Sequence, residues 1–237
     1  MREQGVRDTD LDRIRNLALF RDIAAESFDR LMLASYLQRF PPHVQLIAQG
    51  DAPDFLYVVV EGMVEMFAAH RGRETSMALI RPVAAFIPAA VLTDTPWLMS
   101  ARTLEPSQLL LIPAQNIREV LMQDAGFARA IAQETARAYR GMVKSLKEHK
   151  LRFGTERLAA LLLRLSVEQG DATEITLPVG KRTIAGLLGM TPETLSRSFS
   201  ALAAQGVEVS GRTIRLGDRQ ALAALACPEP HIDDPTY

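Results

Sequence analysis

Ile184-Ala185-Gly186-Leu187-Leu188-Gly189-Met190, followed by Thr191-Pro192-Glu193-Thr194-Leu195-Ser196-Arg197, is the stretch on which the fold turns. An apolar half-turn, a glycine and a helix start read as a helix-turn-helix. Gly189 falls where the chain must bend sharply, and glycine tolerates the positive φ that such a bend often needs. Thr191 is a good N-cap. Pro192 then takes the first helical position, where its missing N–H costs nothing. Glu193, Ser196 and Arg197 are spaced i, i+3, i+4 and share one face. Each type can read a base edge in the major groove: Arg at guanine, Glu at a cytosine amino group, Ser more loosely. Phe199, Leu202 and Ala203 lie on the other side, where they can pack inward. An ordinary amphipathic helix would also fit these residues, so their neighbours decide. Gly206 ends the helix. Val207-Glu208-Val209, a Ser210-Gly211-Arg212 turn and Thr213-Ile214-Arg215-Leu216 then alternate with period two, as a hairpin does. A reading helix followed by a hairpin is a winged helix. Lys181 and Arg182 at the preceding helix start, Thr191 and Thr194 at the cap, and Arg212 at the wing tip are then placed for phosphates.

The chain has 237 residues, enough for two modest domains. Its longest apolar run, from Pro82 to Leu92, is too short to span a bilayer and carries two prolines. The N-terminus is charged and has no apolar signal core, so a cytoplasmic protein is expected. Cys227 is the only cysteine, which excludes an intramolecular disulfide and a Cys-ligated zinc or iron–sulfur site. Net charge is −1, but it is unevenly spread. Residues 1–70 hold seven Arg/Lys against eleven Asp/Glu, residues 137–157 seven against two, and residues 181–219 six against three. An acidic front and a basic rear suit a sensor joined to a DNA-binding domain, and also many unrelated two-domain chains.

Asp8–Asn16 and Glu26–Tyr36 read as short helices, and Pro41-Pro42 closes that region. Strand-like runs follow at 44–47, 55–60, 63–67, 75–80, 100–104 and 109–112, punctuated by Gly50, Gly62 and Gly72. Short strands with glycine turns indicate an antiparallel barrel or sandwich. Ala114–Gln123 is a helix, and a longer one runs over 125–152. Its apolar positions Phe127, Ile131, Ala138, Met142 and Leu146 keep roughly heptad spacing. A narrow apolar seam on a long helix fits pairing with a second copy, and could also pack on the chain's own barrel. Phe153-Gly154 is a candidate hinge. Thr155 would cap an apolar helix ending at Gly170-Asp171.

On these residues the chain resembles the Crp/Fnr-type transcription regulators over about residues 17–225. The most specific likeness lies in Gly189–Arg197 and in the Gly50/Gly62 strand pattern. The resemblance implies an α+β chain. Residues 1–124 would be a sensor related to cyclic-nucleotide-binding modules, an antiparallel, jelly-roll-like β-roll. Residues 125–152 would be the dimerisation helix and residues 153–237 the winged helix-turn-helix. It implies a homodimer on double-stranded, palindromic DNA with TTGA-like half-sites, with RNA polymerase as a candidate partner.

Cyclic-AMP-binding members carry an F-G-E-L cassette and, further on, R-S-A or R-T-A. The aligned residues here are Phe86-Ile87-Pro88-Ala89-Ala90 and Met99-Ser100-Ala101. Pro88 removes a backbone donor, Ala89 replaces the ribose-binding Glu, and Met99 stands where the Arg should be. A buried phosphate without a cation is costly. The pocket lined by Phe86, Pro88, Ala89, Ala90, Met99 and Ser100 is therefore expected not to bind cyclic AMP. A cyclic-nucleotide-binding regulator with an unusual cassette is the alternative. The stretch from Thr93 to Ser107 looks like the nitric-oxide-responsive denitrification regulators. Haem is thus a candidate cofactor, with His43, His70, His149, Met63 and Met99 as candidate ligands. Cys227 is a conceivable thiol sensor. No metal site and no catalytic triad, metal-ligand or phosphate-loop pattern is present, so an enzyme is not expected. Neither the effector nor the sign of regulation can be read from these residues.

Overall fold

The N-terminal segment forms helices α1 (Asp8–Arg15) and α2 (Ala25–Leu33), the latter burying Phe28, Leu31 and Met32 at i, i+3, i+4. The computed structural model describes residues 8–234, Ile87 excepted. Strands β1 (Tyr36–Phe40), β2 (Gln45–Ile47), β3 (Phe55–Glu61), β4 (Val64–His70), β5 (Arg73–Ile80) and β6 (Ala84–Phe86) follow. Helix α3 (Pro88–Thr93), β7 (Ser100–Thr103), β8 (Ser107–Pro113) and α4 (Ala114–Gln123) complete the sensor region. The strands form two antiparallel sheets in the orders β1-β8-β3-β6 and β2-β7-β4-β5. Leu56, Val58, Leu110 and Ile112 of one sheet and Ile47, Val64, Met66 and Ala101 of the other share one core. This is the expected β-roll. Between β3 and β4, Gly62 has φ +88°, and a β-carbon there would stand 2.3 Å from Ser107 Oγ. Positive φ and this close approach together admit only glycine.

Three local readings are corrected. The second helix stops at Leu33 instead of Tyr36, because Tyr36 already pairs with Leu111 as the first residue of β1. β6 and α3 occupy a stretch in which no element was expected, since Pro82–Leu92 is apolar without clear periodicity. Helix α6, described below, is not capped by Thr155: Glu156 accepts the Phe153 N–H at 2.8 Å instead.

Helix α5 (Ala125–Leu151) is separated from α4 only by Asp124. The buried Asp124 carboxylate accepts the Phe127 N–H and the Ala24 N–H, each at 2.9 Å. It thus caps α5 and ties it to the segment before α2. Phe127 stacks on Phe20 with ring centroids 6.4 Å apart, and Ala130 and Ile131 are buried beside it.

The remaining elements are α6 (Gly154–Glu168), β9 (Glu174–Thr176), α7 (Lys181–Leu187), α8 (Pro192–Leu202), β10 (Val207–Ser210), β11 (Thr213–Leu216), α9 (Arg219–Ala226) and α10 (Pro230–Asp233). A 3₁₀ turn (Ala203–Gln205) separates α8 from β10. Leu158, Leu161, Leu162 and Leu165 of α6 are buried, and this helix packs on α8 and α9. β10, β11 and β9 form a three-stranded antiparallel sheet, so the wing has one strand more than the hairpin expected from sequence. The chain divides into two compact units between Ala138 and Tyr139. That division falls within α5.

The amide donors of Phe127 and Ala24, helped by Ser27, hold the Asp124 carboxyl below its ordinary pKa. A depressed folded-state pKa gives stability that is present above the unfolded value and lost as pH falls through the folded one. Asp124→Ala is expected to lower unfolding stability by about 2 kcal/mol at neutral pH. The difference between variant and wild type should shrink as pH falls below the ordinary carboxylate range in urea titrations.

Candidate nucleic-acid interface

Helix α7 ends in a tight turn. The Gly189 N–H donates to Gly186 O at 2.9 Å and the Met190 N–H to Ala185 O at 2.8 Å. Gly189 has φ +62°, the left-handed conformation its position predicted. Thr191 caps α8 by accepting the Thr194 N–H at 3.2 Å, with Pro192 at the first helical position. Leu195, Ser198, Phe199 and Leu202 are buried, which fixes the helix rotation. Ala203 is exposed in the 3₁₀ turn and does not pack inward as expected.

With the inner face committed, Glu193, Ser196 and Arg197 project together into solvent around one open concavity that they share with Pro192. An eleven-residue helix is about 16 Å long, which a major groove accommodates. Arg197 Nη2 donates to Thr194 Oγ1 at 3.3 Å, so the guanidinium is aimed along the helix start. Thr191, the Glu193 backbone N–H and Arg197 hold the Glu193 carboxyl below its usual range. It is therefore an anion, and an acceptor, at neutral pH. Lys181 Nζ stands 5.7 Å over the Phe199 ring, and Lys181 and Arg182 are exposed at the start of α7. A groove between α8 and the wing runs past Lys181, Ser196, Ser200, Val207 and Val209.

Arg212, exposed at the wing turn, also has a structural task. Its guanidinium donates to Leu177 O at 2.6 and 2.9 Å and to Pro178 O at 2.6 Å. It ties the wing turn to the loop after β9 and keeps its positive charge, since its acceptors are neutral carbonyls.

The expected seam on α5 is divided. Phe127 and Ile131 are 0% and 3% exposed in the sensor core and drop out of any surface seam, because the β-roll's own packing claims them. Ala138, Met142 and Leu146 are exposed. Tyr139 and Val143, which heptad spacing had not included, join them at i, i+3, i+4, i+7 from Tyr139 through Leu146. The aromatic body of Tyr139 was the available signal.

In the cassette region, Phe86 is buried and stacks on Tyr57 with centroids 5.5 Å apart. Pro88, Ala90 and Val91 are buried as α3 packs down, while Ala89 is exposed. Met99 packs against the core, and the buried Ser100 Oγ accepts the Gln49 N–H at 2.9 Å. Arg102, the nearest cation in sequence, is engaged elsewhere. It meets Glu65 at 2.7 Å and Glu74 at 2.8 Å and lies 4.3 Å over the Phe67 ring.

Of the haem-ligand candidates, His43 and His70 are exposed beside turns. The His149 ring lies against Gly189, and Met63 is core. Among the described residues no cluster of His, Cys, Asp and Glu could hold a metal ion. No helix among them is long and apolar enough to cross a membrane. Cys227 is exposed at the end of α9, with its thiol donating to Ala224 O.

A cyclic nucleotide-binding domain model matches residues 37–124, and a Crp-like helix-turn-helix domain model matches residues 156–225. The cyclic AMP receptor protein of Thermus thermophilus is 30% identical over 202 residues, 84% of this chain and 88% of that protein. The nitrogen fixation regulation protein FixK of Azorhizobium caulinodans is 29% identical over 198 residues, 78% of this chain and 77% of that protein. The structure of FixK2 from Bradyrhizobium japonicum shares the fold at 24% identity and a TM-score of 0.70, covering 82% of this chain and 98% of the other.

Since Arg212 holds two backbone carbonyls, Arg212→Ala is expected to lower the stability of the winged unit by about 1 kcal/mol. Chemical denaturation followed by circular dichroism measures this without DNA. An unchanged midpoint would return Arg212 to a role at phosphate alone.

Proposed function

The chain belongs to the Crp/Fnr family of DNA-binding transcription regulators, and from that premise we propose that it reads a two-fold symmetric operator as a homodimer. The observation that carries this reading is the exposed Glu193, Ser196 and Arg197 set on a helix whose opposite face is locked in the core. Rigid presentation is what base readout requires, since a bidentate Arg–guanine pair tolerates little rotation. Arg197 would take guanine O6 and N7 within a TTGA-like half-site. Glu193 would accept from an exocyclic amino group on the opposite strand. Lys181, Arg182 and the Thr191/Thr194 cap would meet phosphates and set register.

Pairing through Tyr139, Met142, Val143 and Leu146 would set two α8 helices about one helical turn of DNA apart. The sensor unit would answer to a signal other than a cyclic nucleotide. Its cassette offers a buried proline, alanines and a methionine where an anionic ligand needs donors and a cation. A signal that shifted the seam packing would re-aim the reading helices by favouring one of two arrangements. The function is regulatory, not enzymatic, with RNA polymerase the partner on which such a regulator acts. A regulator of this kind would act in the cytoplasm.

Enrichment of binding sites from random oligonucleotides tests the reading. The wild type should select a palindrome. Arg197→Ala should lose about 1–3 kcal/mol per half-site and relax preference at one guanine. An unchanged selected motif would remove α8 as the reading helix. Met142→Glu sets like charges against each other in a desolvated seam and should weaken dimerisation by more than about tenfold in sedimentation equilibrium. A wild type that sediments as a monomer at micromolar concentration would remove the dimer.

A further inference from the structure

Three consecutive residues of the helix-turn-helix turn are each held by one residue near the end of α5 or the start of α6. Leu188 O accepts the Arg157 Nε–H at 2.9 Å. A β-carbon built on Gly189 would stand 3.5 Å from Nε2 of His149. One built on Gly154 would stand 3.2 Å from Cε of Met190. Arg157 also donates through Nη1 to Arg152 O at 2.7 Å and His149 O at 3.4 Å. One planar guanidinium therefore serves the last carbonyls of two helices, α5 and α7. Both are the negative ends of helix dipoles. The fork of a guanidinium fixes the direction of its bonds as well as their length. Its position between the two helix ends thus constrains the angle between them.

The geometry points to a joint in which Arg157 is a positioning residue that sets the direction of the reading helix relative to α5. This rests on the dimeric, operator-reading function given above. Helix α8 starts directly after the held turn, at the Thr191 cap. If α5 carries the dimer axis, the joint decides how far apart, and at what relative rotation, two copies of α8 are presented. It does not touch the base-reading side chains. Arg157 should therefore govern the spacing between half-sites and leave the sequence of each half-site alone. His149 fills the space that Gly189 leaves open, and its Nδ1 is buried with no hydrogen-bond partner, so the contact is held by packing. Arg157 does not stand out in the sequence, because it lies outside the reading helix and the apolar seam, and His149 was marked there only as a candidate haem ligand.

The test uses the full chain and palindromes built from the selected half-site, with base pairs added to or removed from the centre. Each added base pair rotates one half-site by about 35° relative to the other. Wild type should lose about tenfold in affinity for one base pair either way. Arg157→Gln should bind the optimal palindrome about tenfold more weakly, yet vary less than about threefold across the spacings. Its selected half-site and its sedimenting mass should match wild type. A profile as sharp as wild type overturns the proposal. So does an equal loss at every spacing, which is what destabilisation alone gives. Should Arg157→Gln not fold, His149→Ala decides: a flattened profile supports the joint, and a sharp one overturns it. A wild type with no affinity for duplex DNA would overturn the DNA reading itself, and the joint with it. It is told apart because no spacing profile then exists for any variant.

Discussion

Two arginines, Arg152 just after α5 and Arg157 in the first turn of α6, tie together the unit that contains them. The Arg152 side chain is 5% exposed, and such a charge is tolerated inside a protein only when it is fully paired. Here it meets both oxygens of Asp233, at 2.7 and 2.5 Å, and donates to Cys227 O. This draws α10 and the end of α9 onto the last turn of α5, where Lys144 and Lys147 also donate to the tail carbonyls of Asp234 and His231. Arg157, five residues on, takes the carbonyls that Arg152 and His149 present. The basic cluster at 137–157 read as a mark of nucleic-acid contact is therefore partly internal. Several of its members hold helix ends and the C-terminal segment, although only Arg152 has its charge balanced by the Asp233 carboxylate there.

The sensor unit shows the same conversion of ligand chemistry into packing. Cyclic-nucleotide sites work by leaving donors and a cation unsatisfied until the ligand arrives. In this chain Ser100 already accepts from Gln49, Thr103 Oγ1 donates to Pro41 O, and Arg102 is balanced by Glu65 and Glu74. Arg118 donates to Val91 O and to Asp94, holding the end of α3 against α4. With these groups satisfied internally, an incoming phosphate would have to displace existing hydrogen bonds, and the exchange yields little net energy. The likeness to a cyclic AMP receptor protein supports the fold and the lineage of the sensor, and on the proposed reading the chemistry of its pocket would have moved away.

What the sequence made legible follows from how local each signal is. The capped α8 could be read because Gly189, Thr191 and Pro192 act within a few residues of themselves. The strands at 55–60 and 63–67 could be read because a core between two sheets imposes dense apolar runs. By contrast, β1 was hidden because Tyr36 continues the apolar pattern of α2, and β9 because three residues carry no periodicity. The seam was misjudged at Phe127 and Ile131. Heptad spacing records that a face is apolar and does not record what covers it, and the Phe20 ring covers that face here. The structural task of Arg212 was missed for a related reason. A turn position predicts exposure, and Arg212 is exposed, but only tertiary placement brings Leu177 O within reach of its guanidinium.

These internal commitments bear on how the chain can bind DNA at all. Among the basic residues of 181–219, Arg212 holds carbonyls, Arg215 faces Glu208 at 3.6 Å, and Arg219 meets Asp171 at 3.1 Å. Lys181, Arg182 and Arg197 have no ion pair within 4.0 Å among the described residues. Non-specific affinity rises with the number of phosphates neutralised, and Lys181, Arg182 and Arg197 are cations with no internal carboxylate to leave. If the chain pairs as proposed, two units would engage one operator, and the second contact would be intramolecular and gain from high effective concentration. That gain would exist only if both reading helices reached their half-sites together. On that reading discrimination would rest on the geometry of the pair, because binding away from a correctly spaced palindrome would lose the second contact.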